Sequence, residues 1–180
     1  MILGNLNLDF ITQSDLDNSV YNERTECHHA NGLWEEINID PPTYPENSAI
    51  VYQAFGDEAP DWAHKVKEMF DWVEMKQITI IKILPGCFIP PHKDKMYMLK
   101  KSITEAGFNV EDYDLIRINI FLTDHKIGHV FNLNNKFLDK YKKGDYLYIL
   151  PNEIHGVANI GAEPRYTMQV TGVVDKRKNT

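Results

Sequence analysis

Two histidines and an aspartate are the residues of this sequence best suited to chemistry. His92 and Asp94 are separated by a single residue, and His155 follows far downstream. Imidazole nitrogens and a carboxylate oxygen bind divalent transition metals, and three such ligands on one face of an octahedron leave its other positions open for small molecules. The sequence therefore predicts a metal site whose ligands and catalytic residues are His92, Asp94 and His155.

The spacing of these residues indicates how the chain must present them. Residues i and i+2 point to the same side of a strand, so His92 and Asp94 can face one metal from an extended segment. His155 must then arrive from a distant strand, which a rolled β-sheet allows. Taken alone, the His-x-Asp motif is weak, and a polar surface pair after Pro90 and Pro91 is the alternative interpretation.

Three further polar residues are candidates for a binding site. Arg165 lies ten residues after His155. Its planar guanidinium suits two-pronged binding of a carboxylate, and an arginine that points into a barrel needs such a partner. Arg117 and Asn119 share one face of an alternating segment, opposite a row of isoleucines. That face is either the lining of a binding site or a solvated outer face, and the alternation leaves both open.

Composition narrows the class of protein. The chain has 180 residues, 43% of them hydrophobic, and is most simply one globular domain. A net charge of -7 argues against a nucleic-acid partner. Cys27 and Cys87 are too few for a disulfide framework, and no apolar segment approaches the roughly 20 residues that span a bilayer. We expect a cytoplasmic protein without a membrane partner, and the oligomeric state stays open.

Short segments of strand character predict a mainly β fold. Their spacing, with turns between them, is typical of a sandwich or barrel. The segments are 2–10, 49–55, 78–84, 115–123, 129–133, 146–150 and 165–174. Apolar residues from Trp62 to Val73, spaced at three and four, predict a helix that begins at Pro60 or Asp61 and covers the sheet.

Four segments together resemble the Fe(II)/2-oxoglutarate-dependent dioxygenases, and within them the aspartyl/asparaginyl β-hydroxylase and prolyl-hydroxylase-like group. The resemblance covers residues 83–173, about half of the chain. The segments are Pro90-Pro91-His92-Lys93-Asp94, Leu115-Ile116-Arg117-Ile118-Asn119-Ile120, Tyr141-Lys142-Lys143-Gly144-Asp145, and His155-Gly156-Val157-Ala158-Asn159 followed by Pro164-Arg165-Tyr166. The founding aspartyl β-hydroxylases lack the metal carboxylate that Asp94 offers, which places this chain nearer the members with a full triad.

The resemblance implies a fold and a chemistry. The fold is a double-stranded β-helix, a cupin-like jelly roll with flanking helices. The chemistry uses Fe(II) on His92, Asp94 and His155, 2-oxoglutarate as co-substrate, and O2. Arg165 holds the distal carboxylate of 2-oxoglutarate, and Arg117 and Asn119 contact 2-oxoglutarate or substrate, Asn119 standing where the family has histidine. The reaction is hydroxylation of a peptidyl Asp, Asn or Pro residue, or of a free amino acid or other small molecule, with succinate and CO2 as co-products.

We therefore expect residues 1–180 to form a single oxygenase domain. Residues 1–76 supply strands and a supporting helix, and residues 77–175 form the jelly-roll core, with 95–114 inserted as a lid beside the metal site. Two other functions fit the same residues. One is a cupin-type metalloenzyme that works without 2-oxoglutarate and has no need of Arg165. The other is a non-catalytic jelly-roll binding module in which the triad is incidental.

Overall fold

The computed structural model describes residues 2–25, 34, 36, 38, 40, 43–45 and 48–179. Cys27 lies outside these residues. The described strands are β1 (Gly4–Asn5), β2 (Asn22–Thr25), β3 (Ile50–Phe55), β4 (Glu74–Ile83), β5 (Phe88–Lys93), β6 (Tyr113–Phe121), β7 (His129–Leu133), β8 (Lys136–Phe137), β9 (Asp145–Ile149), β10 (Ile154–Asn159) and β11 (Arg165–Asp175). The described α-helices are α1 (Gln13–Asn18), α2 (Asp61–Glu68) and α3 (Tyr97–Glu105), and short 3-10 turns occupy 56–58, 110–112 and 176–179. Among the described helices, none has the length and apolar character needed to cross a membrane.

The strands form two antiparallel sheets that pack against each other. The larger sheet has the order β1-β9-β6-β11-β4-β3-β2, and the smaller has the order β5-β10-β7-β8. Buried side chains of the two sheets meet between them, for example Phe121 of β6 with Phe131 of β7, and Ile83 of β4 with Ile89 of β5. The mainly β fold with flanking helices that the sequence predicts is therefore confirmed, and each predicted strand overlaps an observed one.

The outer face of the larger sheet is covered by helices. Ile116, Ile118 and Ile120 of β6 are buried there in one cluster with Trp62 and Val66 of α2. Because successive side chains of a strand point to opposite faces, the alternate residues of β6 must face the space between the sheets. Arg117 and Asn119 thus lie on the inner face, and their alternative interpretation as a solvated outer face is wrong.

Helix α2 begins where the sequence predicts, but it ends earlier. Pro60 is the N-cap, and the carboxylate of Asp61 lies in the first turn, where the helix dipole favours a negative charge. The helix ends at Glu68, before the last apolar residues of the predicted pattern. Phe70 and Val73 lie beyond the helix and are nevertheless buried in the outer core. A three-to-four spacing is also satisfied by a turn, so it overestimated the length of the helix.

The predicted strand at 2–10 is wrong in its extent. Only Gly4 and Asn5 pair with β9. The chain then turns, with the backbone N–H of Ile11 donating to the carbonyl oxygen of Leu8 at 3.0 Å. Leu8 and Ile11 are buried in the core outside the larger sheet. Burial against that sheet, rather than pairing within it, accounts for the apolar residues of this segment.

The insertion at 95–114 contains α3 and packs as a satellite of the main core. Leu99 and Ile103 are buried against Leu115 of β6 and Val173 of β11. Its partly helical character is confirmed. Residues 95–99 line the cavity described below, so α3 forms part of a wall there. The function of this segment as a movable lid stays a prediction.

Candidate active site

His92, Asp94 and His155 come together at the smaller sheet. His92 of β5 pairs directly with His155 of β10, and the centroids of their rings are 4.3 Å apart. Asp94 follows immediately after β5. The distance from His155 Nε2 to Asp94 Oδ2 is 3.5 Å, and from His92 Nε2 to Asp94 Oδ1 it is 3.8 Å. The three possible ligand atoms lie within 4.8 Å of one another, so the triad could hold a metal ion.

A close approach of backbones fixes this pairing. Gly156, next to His155, has no side chain to meet the backbone of Pro91, which lies 3.2 Å from the position of an added Cβ. The ladder between β10 and β5 is irregular between His155 and Val157. Such bulges redirect side chains and are frequent beside functional sites. The two histidines therefore face each other directly beside an irregular point of β10.

Hydrogen bonds set the tautomer of both histidines. The Nδ1 atom of His92 lies 2.8 Å from the carbonyl oxygen of Pro90, and Nδ1 of His155 lies 3.1 Å from that of Glu153. A carbonyl oxygen only accepts, so each Nδ1 carries the proton and donates it. In the neutral ring Nε2 then carries the lone pair, and the Nε2 atoms of both residues face Asp94. Burial lowers the pKa of His155, although the Asp94 carboxylate opposes this, which favours the neutral ring that a metal requires.

Asp94 is held by Arg117. The Nη1 group of Arg117 donates to Asp94 Oδ2, and Nε of Arg117 donates to Thr171 Oγ1 at 3.1 Å. Burial by itself would raise the pKa of Asp94, but the positive charge of Arg117 beside it opposes burial, and the pKa is lowered. Asp94 is therefore a carboxylate, as a metal ligand must be.

Arg165 is a buried charge without a matching anion among the described residues. Its side chain is 2% exposed, and its Nε and Nη2 atoms have no hydrogen-bond partner there. The guanidinium lies over the rings of Phe121 at 5.6 Å and Phe131 at 5.9 Å. A buried charge is costly unless it is paired, so this position favours an anionic ligand.

Three more buried polar atoms accompany Arg165. They are Tyr141 Oη, Thr123 Oγ1 and His129 Nδ1, each without a hydrogen-bond partner among the described residues. The Tyr141 ring stacks on Phe121 with centroids 3.8 Å apart, and burial raises the pKa of Tyr141 while the charge of Arg165 opposes the rise. Thr167 pairs with Phe121, so Thr123 comes opposite Arg165 two residues along the antiparallel ladder. His129 donates from Nε2 to the carbonyl oxygen of Glu163, which leaves a lone pair on Nδ1.

Sequence reasoning did not find Tyr141 or Thr123, although Tyr141 lies in a segment that carries the family resemblance. Thr123 lies four residues after Asn119, so it continues the two-residue alternation that places Arg117 and Asn119 on one face. This alternation is the signal that could have identified Thr123. Tyr141 lies outside the strands, so no period applies to it. The group formed by Arg165, Tyr141, Thr123 and His129 is called the inner polar cluster below.

One cavity of about 750 Å³ contains all six residues that the sequence predicts for the site. His92, Asp94, His155, Arg117, Asn119 and Arg165 all contribute to its lining. Apolar side chains line the same cavity, among them Ile83 and Ile89, together with Phe131, Ile149 and Val157. The cavity thus combines a metal-ligating triad, an unpaired arginine and an apolar wall.

A polar floor is formed by the inner face of the larger sheet. Two rows cross its strands: Gln77, Thr171 and Arg117 are neighbours in one row, and Thr79, Gln169 and Asn119 are neighbours in the next. All six line the cavity. Asn119 is 3% exposed, and its Nδ2 has no hydrogen-bond partner among the described residues. Polar residues on the inner face of a β-sandwich are unusual, so these rows indicate binding of a polar ligand.

The mouth of the cavity has apolar and basic residues. Tyr97 and Met98 at the start of α3 are both 69% exposed, and Phe55 of β3 lies on the same lining. Lys93 is paired with Glu36, whereas Lys95 has no carboxylate within ion-pair distance in the described part of the chain. Of the two lysines that line the cavity, Lys95 is therefore the one without an ion-pair partner among the described residues.

Comparison with known proteins supports the fold. No family model matches the sequence, and no curated protein matches it either. A prolyl-4-hydroxylase of Pseudomonas putida has a similar structure, with a TM-score of 0.52 at 12% identity over 89% of this chain and 96% of that one. A predicted oxalate decarboxylase of Thermotoga maritima gives a TM-score of 0.46 at 14% identity, over 91% and 99% of the two chains. The two packed antiparallel sheets and the likeness to the Pseudomonas putida structure confirm the predicted fold, a double-stranded β-helix.

Proposed function

We propose that the protein is an Fe(II)/2-oxoglutarate-dependent dioxygenase that hydroxylates a peptidyl Asp, Asn or Pro residue or a free amino acid. In this reaction one oxygen atom of O2 enters the substrate as hydroxyl, and the other enters succinate as 2-oxoglutarate loses CO2. Arg165 is the observation that carries the proposal. A buried guanidinium with unpaired donors, in the same cavity as the triad, fits a ligand that joins a metal-chelating end to a distal carboxylate.

The residues present fit both groups. Two imidazoles and one carboxylate on one side of a cavity form the ligand set of non-haem iron(II) sites. Tyr141 and Thr123 add hydroxyl donors beside Arg165, so the inner polar cluster offers a carboxylate more than one partner. Bound together, Fe(II) and 2-oxoglutarate supply the chemistry that activates O2.

The chain itself orients the reactants and limits access of water. The Nε2 atoms of His92 and His155 and an oxygen of Asp94 are the proposed metal ligands. The apolar residues Ile83, Phe131 and Val157 line the cavity beside them. Such a wall keeps water from the ligand and strengthens the pairing of a carboxylate with Arg165, because charges attract more strongly at low dielectric constant.

The substrate would enter past the mouth and lie on the polar floor. The side chains of Gln77, Thr79 and Gln169 can each donate and accept hydrogen bonds, as a peptide or an amino acid can. Exposed Phe55, Tyr97 and Met98 give the entering molecule apolar contacts. These features support a peptidyl residue or a free amino acid as substrate and do not choose between them.

Anaerobic titration with Fe(II), with and without 2-oxoglutarate, tests the proposal. The expected result is a visible charge-transfer band that requires both components. The band should be absent in Asp94→Ala and in Arg165→Met, and Arg177→Met, outside the cavity lining, should retain it. His92→Ala should fold and lack turnover, so succinate release by this variant would count heavily against the assignment.

The same titration separates the other candidate functions. Iron binding without an effect of 2-oxoglutarate would favour a cupin-type metalloenzyme that uses no co-substrate. Failure to bind Fe(II) at all would favour a jelly-roll binding module. A positive result would be followed by succinate measurements with capped Asp, Asn and Pro peptides and the corresponding free amino acids.

A further inference from the structure

We infer that Arg117, anchored by Thr171, is a positioning residue that reserves one oxygen of Asp94 and so presents Asp94 to the metal as a one-oxygen ligand. The inference rests on the proposed metal site. It assigns to Arg117 a role different from contact with 2-oxoglutarate, which the sequence predicts. The inference is based on two hydrogen bonds of the Arg117 guanidinium, one to Asp94 and one to Thr171.

The first contact engages one carboxylate oxygen and leaves the other free. Arg117 Nη1 donates to Asp94 Oδ2. Asp94 Oδ1 lies 3.8 Å from His92 Nε2 and has no arginine contact among the described residues, so it can be offered to a metal together with that nitrogen. His155 Nε2 lies 3.5 Å from the oxygen that Arg117 engages, Oδ2, so the arginine and a metal held by His155 would compete for that oxygen. A guanidinium bound to one oxygen of a carboxylate competes for that oxygen with any cation.

The second contact fixes the direction of the guanidinium. Arg117 Nε donates to Thr171 Oγ1 at 3.1 Å, and the two residues face each other across the β6–β11 ladder. Both strands lie in the interior of the seven-stranded sheet. The side chains of Arg117 and Asp94 are 19% and 11% exposed. The arginine is therefore held between a rigid neighbour and the carboxylate, with little room to turn away.

The number of oxygens that Asp94 offers decides how many coordination positions stay open at the metal. With an octahedral metal bound, a two-oxygen carboxylate and two imidazoles would fill four positions, and a chelating co-substrate would fill the other two. A one-oxygen carboxylate would leave one more position, which O2 would require. Arg117 thus keeps a place for O2 without contacting O2.

Three variants at the two residues test this inference. Arg117→Met removes the charge and both contacts at similar length, and Arg117→Lys keeps the charge but loses the two-point geometry. Thr171→Val removes the anchor alone, with Thr25→Val on the exposed strand β2 as the control for this type of change. Far-UV circular dichroism and thermal unfolding establish that each variant folds. Fe(II) affinity, 2-oxoglutarate affinity and binding of nitric oxide as a probe for the O2 position are then measured under argon.

The expected pattern is selective. Arg117→Met should bind Fe(II) and 2-oxoglutarate within a few fold of the unmodified protein. It should bind nitric oxide roughly 10- to 100-fold more weakly, a loss as large as the one that removing a partner of a metal ligand causes in metal affinity or activity. Arg117→Lys and Thr171→Val should show smaller losses, and Thr25→Val none. The inference would be overturned if Arg117→Met bound nitric oxide as tightly as the unmodified protein does, or if this variant lost Fe(II) binding. Failure of the unmodified protein to bind Fe(II) or 2-oxoglutarate would instead reject the proposed function.

Discussion

His155 lies directly opposite His92 across the β5–β10 ladder, with the two ring centroids 4.3 Å apart. Opposed residues in an antiparallel pair have their side chains close together because the backbone register places them so. Backbone pairing therefore brings two imidazoles to one point before any metal arrives. Asp94 and Arg117 complete this side of the cavity through an ion pair. The strands therefore preorganise the site. Its buried charged groups should affect both the stability of the protein and its binding of ligands.

Arg165→Met is expected to make the metal-free protein more stable and to abolish 2-oxoglutarate binding. The guanidinium is buried without a matching anion in the described part of the chain, so an apolar side chain of similar length should suit the site better. We expect the free energy of unfolding in urea to rise by about 1–3 kcal/mol. With Fe(II) present, 2-oxoglutarate should stabilise the unmodified protein and not the variant. Destabilisation of Arg165→Met would mean that its guanidinium already has a stabilising partner.

Much of this site was predictable from the sequence because its residues lie on strands. The spacing of His92 and Asp94, and the alternation through Arg117 and Asn119, are direct signatures of strand geometry. The face to which Arg117 belongs was not predictable, because alternation fixes two faces but does not say which one the helices cover. That choice depends on α2 and the N-terminal segment, which bury the isoleucine face of β6.

The inner polar cluster illustrates a different limit. Tyr141 lies outside the strands, and the stacking of its ring on Phe121 brings it to Arg165. A tertiary contact of this kind leaves no period in the sequence. The short β1 has a similar origin, because Leu8 and Ile11 have the composition of a strand but are buried against the sheet. A local sequence pattern shows that a segment is apolar. Whether that segment pairs within a sheet or packs against it depends on its tertiary contacts.

The metal-free protein should lose stability in mildly acidic solution through its buried histidines. Burial lowers the pKa of His155 and also of His129. The unfolded chain, with a histidine pKa of about 6.5, then binds protons more readily than the folded chain. The free energy of unfolding should therefore fall as the pH drops below about 6.5. The contribution of Asp94, whose pKa is lowered, is lost only at still lower pH.

Urea unfolding at a series of pH values measures this effect. His155→Gln should flatten the decline between about pH 6.5 and pH 5, because a group that cannot titrate adds no slope there. Equal slopes for this variant and the unmodified protein would show that His155 is not the group responsible. The comparison is made without metal, since a bound ion would itself compete with protons.

Helix α3 is expected to open without unfolding of the sheets. It packs through a small cluster that includes Ile103 and Leu115, separate from the main outer core. Ile103→Ala removes buried methyl groups and should cost about 2–5 kcal/mol in the packing of this helix. Hydrogen exchange of the backbone amides in 97–105 should accelerate, whereas β4 and β11 stay protected. Lys101→Ala, exposed on the same helix, is the matched control, and uniform acceleration through the sheets would contradict an independent lid.

Tyr141→Phe is expected to weaken co-substrate binding with little change in stability. The hydroxyl is buried beside Arg165, whose guanidinium opposes the rise in the pKa of Tyr141 that burial causes, and it makes no well-formed hydrogen bond among the described residues. Its removal therefore takes away a weak interaction with Arg165 and no strong hydrogen bond. We expect the free energy of unfolding to change by less than about 1 kcal/mol. A hydroxyl that donates to the distal carboxylate of 2-oxoglutarate should contribute about tenfold in affinity. Titration of the Fe(II)-loaded variant measures that loss, and Tyr148→Phe is the control, since Tyr148 of β9 packs beside Trp72 and the core outside the larger sheet. If Tyr141→Phe bound 2-oxoglutarate as tightly as the control, the distal carboxylate would have to rely on Arg165 and the other members of the inner polar cluster.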